Sequence, residues 1–302
     1  MEEHPDPSPG AGEALVRVKA AGLNGADMHQ RLGRYPAPPG VPQDIPGLEL
    51  AGEVAQTGDG ASRFKPGDRV MGIVAGGGQA ELAVVHERIL MPVPGDLSWP
   101  EAGGVPEVFT TAHDAIFTQA GLCSGEHLLV HGGAGGVGTA AIQLARAAGA
   151  RVTATVRDPQ LRERVAEFGA RAIPPDGFAE HGPFDVVLEL VGAPNLADNV
   201  NSLATGGRIV VIGIGAGAQG EVNLGMLMAK RGRIQASTLR PRPLEEKALT
   251  ARALERSVLP LLADGTVRVP IAATYPLDEA EAAYERFTAG GKLGKIVLEM
   301  GE

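Results

Sequence analysis

The run His127–Leu128–Leu129–Val130, followed by His131–Gly132–Gly133–Ala134–Gly135–Gly136–Val137–Gly138, leaves this chain few ways to fold locally. A short apolar run reads as a buried strand, and the glycines after it make a turn. Val137, Ala140, Ala141, Leu144, Ala145 and Ala148 then recur at helical spacing and form one apolar helix face. Gly133, Gly135 and Gly138 therefore satisfy G-x-G-x-x-G between a strand and a helix. In that setting Gly133 permits the tight turn, Gly135 lets a pyrophosphate approach the backbone, and Gly138 lets helix and strand come close. The free N–H groups of the helix start, around Ala134, Gly136 and Val137, present a positive dipole end to phosphate. These residues predict a dinucleotide site.

The next strand, Arg151–Val156, selects the cofactor. An NAD site places Asp or Glu at its end, about 20 residues after the glycines, to hold the ribose 2′-hydroxyl. Here Val156 and Arg157 stand there, and Asp158 comes one place late, where it opens the next helix. A missing carboxylate removes repulsion of a 2′-phosphate, and a guanidinium can bind one in a bidentate way. Arg157 is the main marker for NADPH, and Arg162 is a second.

At 302 residues the chain is long enough for two domains. A formal net charge of −9 speaks against nucleic-acid or anionic-membrane binding. A single cysteine, Cys123, excludes an intrachain disulfide framework and fits a reducing compartment. The acidic start Met1–Glu2–Glu3–His4–Pro5 lacks a signal-peptide layout, and apolar runs such as Ile209–Ile212 are too short to span a bilayer. A cytoplasmic protein is expected.

Two textures follow each other along the chain. Up to about residue 103, short alternating segments such as Glu13–Ala20 are separated by Gly/Pro turns, which predicts a small antiparallel β domain. From 104 to 240 strands and helices alternate: strands at 151–156, 171–173, 184–190, 208–212 and 233–237, helices near 158–168, 194–204 and 222–230. That pattern predicts a doubly wound parallel α/β sheet with its ligand crevice beyond the strand C-terminal ends. Gly192 and Gly213 follow two of these strands, either leaving room for a cofactor or simply making turns. Residues 241–302, with a long helix at 243–263, an extended segment at 269–274, a helix at 278–289 and the strand Gly294–Glu299, return to the first domain.

Several short motifs carry a resemblance: Gly22-Leu23-Asn24-x-x-Asp27, Gly33-x-Tyr35-Pro36-x-Pro38-Pro39-Gly40, Ile45-Pro46-Gly47-x-Glu49, Gly76-Gly77-Gly78-Gln79-Ala80, Gly135-Gly136-Val137-Gly138, Leu239-Arg240-x-Arg242 and Gly294-Lys295-Ile296-Val297-Leu298. Over nearly its whole length the chain resembles the zinc-free medium-chain quinone oxidoreductases, relatives of zeta-crystallin, and especially their stress-inducible branch. The resemblance implies a GroES-like catalytic domain built from both chain ends, a Rossmann domain, and NADPH in the cleft between them. It also implies homodimers, or dimers of dimers, paired through the last parallel strand, here Arg233–Thr238. Where the zinc-dependent branch has its metal-binding Cys, His and Cys, this chain places Asn24, Leu48 and Pro106, a set that cannot hold catalytic zinc. No metal is expected. Members of this family usually carry a strand-rich segment before the stretch that here is Pro5–Pro9, and without it the catalytic domain would be a strand or two short, with an exposed edge.

The resemblance also assigns candidate residues. Asn24 offers an amide to orient substrate or nicotinamide ribose, or else satisfies a turn. Tyr35 donates its phenol to an oxyanion or stacks on a quinone, or else packs a loop. Asp27 braces the loop, Thr111 faces the nicotinamide, and Arg240 and Lys295 fall at cofactor-contacting positions or are solvated cations. The implied chemistry is NADPH-dependent reduction of a quinone by hydride transfer. Reduction of an enone or enoyl-thioester double bond is the alternative, and a non-catalytic NADPH-binding protein is a third reading.

Overall fold

The computed structural model describes residues 2–301. The chain divides into two compact units: one holds the residues up to Thr110, Leu239–Gly290 and those from Lys295 onward, and the other holds Thr111–Thr238 with Gly291–Gly294. The boundaries expected at 103/104 and 240/241 thus fall at 110/111 and 238/239.

The first unit begins with β1 (Glu13–Gly22), α1 (Gly25–Arg31), β2 (Glu49–Thr57), β3 (Arg69–Ile73), β4 (Leu82–His86), β5 (Leu90–Pro92), α2 (Trp99–Gly104) and α3 (Pro106–His113). Ala14, Val16, Val18 and Ala20 of β1 are all buried while Glu13, Leu15, Arg17 and Lys19 between them are more exposed, as a half-buried strand requires. The division between the units falls inside α3, after Thr110, and a short π-helical stretch, Asp114–Gln119, follows α3.

That unit is a six-stranded parallel sheet. Its elements are β6 (His127–Val130), α4 (Gly136–Ala147), β7 (Arg151–Thr155), α5 (Arg162–Ala166), β8 (Arg171–Ile173), β9 (Phe184–Glu189), α6 (Leu196–Asn201), β10 (Leu203–Val211), α7 (Leu224–Lys230) and β11 (Arg233–Ala236). The strand order is β11-β10-β9-β6-β7-β8, so the winding reverses between β6 and β9. The crevice at such a reversal, beyond the strand C-termini, is where open parallel sheets bind ligands. β10 starts earlier than expected and carries an irregular register between Leu203 and Arg208.

The chain then returns through α8 (Leu244–Ser257), α9 (Leu259–Ala263), β12 (Ile271–Pro276), α10 (Ala280–Ala289) and β13 (Lys295–Glu299). The single helix expected over 243–263 is two, divided at Val258, because Pro260 has no N–H to continue the ladder. Together the strands of this unit form a seven-stranded sheet of order β12-β13-β1-β2-β3-β5, with β4 also paired to β1. It is not wholly antiparallel: β12 and β13 run parallel, and α10 supplies the crossover such a pair needs. Val16, Val18, Leu50, Leu90, Tyr284, Ile296 and Leu298 meet in its core.

Candidate functional site

In the parallel-sheet unit the glycine-rich turn forms between β6 and α4. The left-handed residue is Gly132 (φ 72°), one position before the glycine expected to make the turn. Gly133 is required for space, since a Cβ there would lie 2.8 Å from Ala154 Cβ on β7. Gly138 behaves as expected: a Cβ would lie 2.4 Å from the Gly132 carbonyl oxygen. Gly135 caps α4 in extended conformation, and a Cβ there would lie 3.5 Å from the Gly132 oxygen, an ordinary contact. Ala134, Gly135, Gly136 and Val137 are half-buried, so the first N–H groups of α4 are open to an anion. This cradle fits a pyrophosphate.

Arg157 is exposed just beyond β7. Asp158 Oδ1 accepts the Gln160 N–H at 2.9 Å and so caps the next turn. Arg162 Nε donates to the Val156 carbonyl at 3.1 Å, which holds a second guanidinium at the same strand end. Thr111 is buried in α3. Gly192 and Gly213 have a simpler cause than cofactor room. Gly192 has φ 131° and its Cβ would lie 2.6 Å from the Gly217 oxygen; a Cβ on Gly213 would lie 2.2 Å from the Leu190 oxygen. The chain's own backbone requires both.

The sheet-rich unit gathers Asn24, Asp27, Glu49 and Lys295. Lys295 Nζ donates to Glu49 Oε1 at 2.6 Å, to Asn24 Oδ1 at 2.7 Å and to the Leu23 carbonyl at 2.7 Å. Asn24 Nδ2 donates to Glu49 Oε1 at 2.9 Å and to the Gly22 carbonyl at 3.3 Å, and the Glu107 N–H donates to Glu49 Oε2 at 2.7 Å. Asn24 and Lys295, both expected to face cofactor or substrate, therefore have their polar atoms committed to each other and to Glu49. Asp27 accepts the N–H groups of Asn24 and Gly47, which makes it the loop brace expected of it. Its burial pushes its carboxyl up to about 6, against the smaller opposing pull of those N–H groups and of Lys295. Leu48 and Pro106 are buried.

Arg240 also turns inward. Its Nε donates to the Ala75 carbonyl, its Nη1 to the Tyr35 carbonyl and its Nη2 to Gln30 Oε1, and the guanidinium lies 4.8 Å from the Tyr35 ring centroid. This places Arg240 behind Tyr35 as the support of its loop, an arrangement that spacing alone does not reveal. A small cavity of about 20 Å³, room for roughly one water, is lined by Ile73, Met91, Thr110, Leu239 and Lys247 among others. Among the described residues the Thr110 hydroxyl, buried there, has no hydrogen-bond partner, and burial lowers the Lys247 pKa, with Arg240 adding to the effect. Neither residue stands out in the sequence. Glu49 does, as a carboxylate between the apolar Leu48 and Leu50.

The chain matches two family models, an alcohol dehydrogenase GroES-like domain over residues 10–95 and a zinc-binding dehydrogenase over residues 136–255. A quinone oxidoreductase from Lama guanicoe is 32% identical over 305 residues, spanning 97% of this chain and 90% of the relative. An acryloyl-coenzyme A reductase from Metallosphaera sedula is 30% identical, spanning 99% and 95%. Among solved structures, a quinone oxidoreductase from Pseudomonas syringae superposes with a TM-score of 0.86 at 30% identity, covering 99% of this chain and 94% of that one.

Proposed function

Because the chain belongs to the medium-chain dehydrogenase/reductase family of nicotinamide-dependent oxidoreductases, we propose that it is a zinc-independent, cytoplasmic NADPH:quinone oxidoreductase. The observation that carries this reading is the buried Asn24–Glu49–Lys295 cluster. Zinc does not fit the positions that the zinc-dependent branch uses. Leu48 and Pro106 have no side-chain donor, and the Asn24 amide is held by Glu49 and Lys295. A Lys ammonium, not a metal, balances the Glu49 carboxylate. The acceptor must then spread its own developing charge, as the conjugated carbonyls of a quinone do.

NADPH supplies a hydride from the nicotinamide when bound. In this reading the open start of α4 holds the pyrophosphate, Arg157 holds the 2′-phosphate, and Thr111 faces the nicotinamide. Tyr35, backed by Arg240, closes over the acceptor with its ring or its phenol, and Lys295 and Glu49 fix Asn24 beside it. The engagement of Asp158 Oδ1 in a helix cap supports NADPH over NADH, because it turns one oxygen of the nearest carboxylate toward the Gln160 N–H. A homodimer is part of the proposal, formed along the free edge of β11.

The similarity to an acryloyl-coenzyme A reductase favours one second reading, reduction of an activated carbon–carbon double bond. The test is NADPH oxidation against 1,4-benzoquinone, 9,10-phenanthrenequinone, an alkenal and crotonyl thioester, with NADH in parallel. Quinone turnover with NADPH preferred is the expected result. Turnover of only the alkenal or thioester would move the assignment to double-bond reduction. Tight NADPH binding without turnover would make this a binding protein.

A further inference from the structure

One continuous hydrogen-bond chain crosses the reversal between β6 and β9. The Gly132 N–H, in the turn after β6, lies 3.3 Å from Thr155 Oγ1, which lies 3.1 Å from His131 Nδ1. His131 Nε2 lies 2.8 Å from Asn199 Oδ1, and Asn199 Nδ2 donates to Glu189 Oε2 at 2.8 Å. Glu189 Oε1 then accepts the N–H groups of Val191 and Gly192, in the loop after β9, at 2.7 and 2.8 Å. His131, Glu189 and Asn199 are each at most 2% exposed.

The chain has only one consistent direction. Backbone N–H groups can only donate, so Glu189 must accept from Val191 and Gly192. Asn199 donates its Nδ2 hydrogen to Glu189 Oε2, which leaves its oxygen as the acceptor facing His131. His131 must therefore carry its proton on Nε2 and offer a bare Nδ1 to the Thr155 hydroxyl.

We infer that His131, Asn199 and Glu189 are positioning residues, a one-directional relay that fixes the loops after β6 and β9 on either side of the nucleotide crevice. Its effect on binding rests on the NADPH reading above. The surroundings of His131 agree with a neutral ring. Among the described residues, the charged group facing it is Glu189, whose Oε2 is 3.8 Å from Nε2. Thr155 from β7, Asn199 from α6 and the Phe178 ring, 4.5 Å away and edge-on, complete the shell. Burial lowers the His131 pKa, outweighing Glu189 and Asn199, which pull the other way.

Glu189→Gln tests the direction while keeping the shape. The new amide still accepts from Val191 and Gly192, but its nitrogen now faces the amides of Asn199 and Asn195, which both donate to Glu189 Oε2 in the wild type. Asn199 must flip, and the His131 proton must move to Nδ1. Nitrogen-15 NMR of labelled histidine should show His131 as the Nε2–H tautomer in the wild type and the Nδ1–H tautomer in E189Q. NADPH affinity, read by nucleotide fluorescence, should fall about tenfold in E189Q and in T155V, and T155S should restore it. A wild-type Nδ1–H tautomer, or an unchanged tautomer in E189Q, overturns the relay. A changed tautomer with unchanged affinity in E189Q and T155V overturns its role toward the cofactor. Failure of the wild type to bind NADPH or NADH overturns the cofactor reading itself and this role with it, and the tautomer still reports separately on the relay's direction.

Discussion

Lys295 Nζ stands 2.6 Å from Glu49 Oε1 with both side chains at most 3% exposed. All three ammonium donors are used, and both carboxylate oxygens accept. A pair so desolvated adds little net stability over an apolar pair, yet breaking one side strands a buried charge. Lys295→Met should therefore cost about 3–5 kcal/mol. The double variant Glu49→Gln with Lys295→Met should recover a large part of that loss. Chemical denaturation of the two variants and the wild type checks this; equal losses in the single and double variants would contradict it.

Asp27 makes stability depend on pH. Its folded pKa, about 6, lies above the ordinary 3.8. Between those values the folded chain holds a proton that the unfolded chain has lost. The contribution is fully present below about 3.8 and is lost as pH rises through about 6, a change of about 3 kcal/mol. Asp27→Asn cannot ionise and escapes that loss. The stability of D27N relative to wild type should climb between pH 4 and pH 7, as followed by urea melts. A flat difference across that range would rule the effect out.

Arg157 should act on one cofactor and not on the other. Removing a guanidinium that holds a phosphate forfeits charge-assisted bonds of about 1.5–3 kcal/mol. Arg157→Ser should weaken NADPH about tenfold or more and leave NADH nearly unchanged. Titration of both nucleotides decides it, and equal losses for the two would remove Arg157 from the 2′-phosphate.

The edge of the parallel sheet should be where two copies meet. Among the described residues β11 pairs with β10 on one side only; its Ile234 is 37% exposed, and Leu224 and Met228 of the preceding α7 are 68% and 77% exposed. An unprotected strand edge flanked by apolar side chains invites pairing about a two-fold axis. Ile234→Lys should turn a dimer into a monomer in sedimentation velocity. A wild-type monomer, or a dimer indifferent to this change, would place the interface elsewhere or nowhere.

The parts legible in the sequence were those whose chemistry is local. The left-handed Gly132 and the close approach of Gly138 to its carbonyl depend on neighbours a few positions away, and so does the cap that Asp158 makes on the Gln160 N–H. The partners of Lys295 and Arg240 were not legible. Asn24 lies 271 residues from Lys295, and Gln30 lies 210 from Arg240. A buried cation looks the same in sequence as a solvated one until its carboxylate or carbonyls are brought to it. The parallel pairing of β12 with β13 was hidden likewise, since strand direction is a property of the crossover and not of either strand. Gly192 and Gly213 show the reverse case: the residue type was informative, but the crowding came from the chain itself.

β13 lies between β1 and β12, though it is the last strand in the chain. During synthesis β1 emerges early, and β4 comes soon after to cover Glu13–Arg17. The other end of that strand, Ala20–Gly22, waits for Val297–Glu299. At translation rates of roughly 5–20 residues per second, the wait is on the order of tens of seconds. The parallel sheet needs no such late strand and can close while the ribosome is still at work. Until β13 arrives, the nascent chain therefore has one half finished and the other holding an unzipped seam, and that seam is where chaperones or a neighbouring nascent chain would find it.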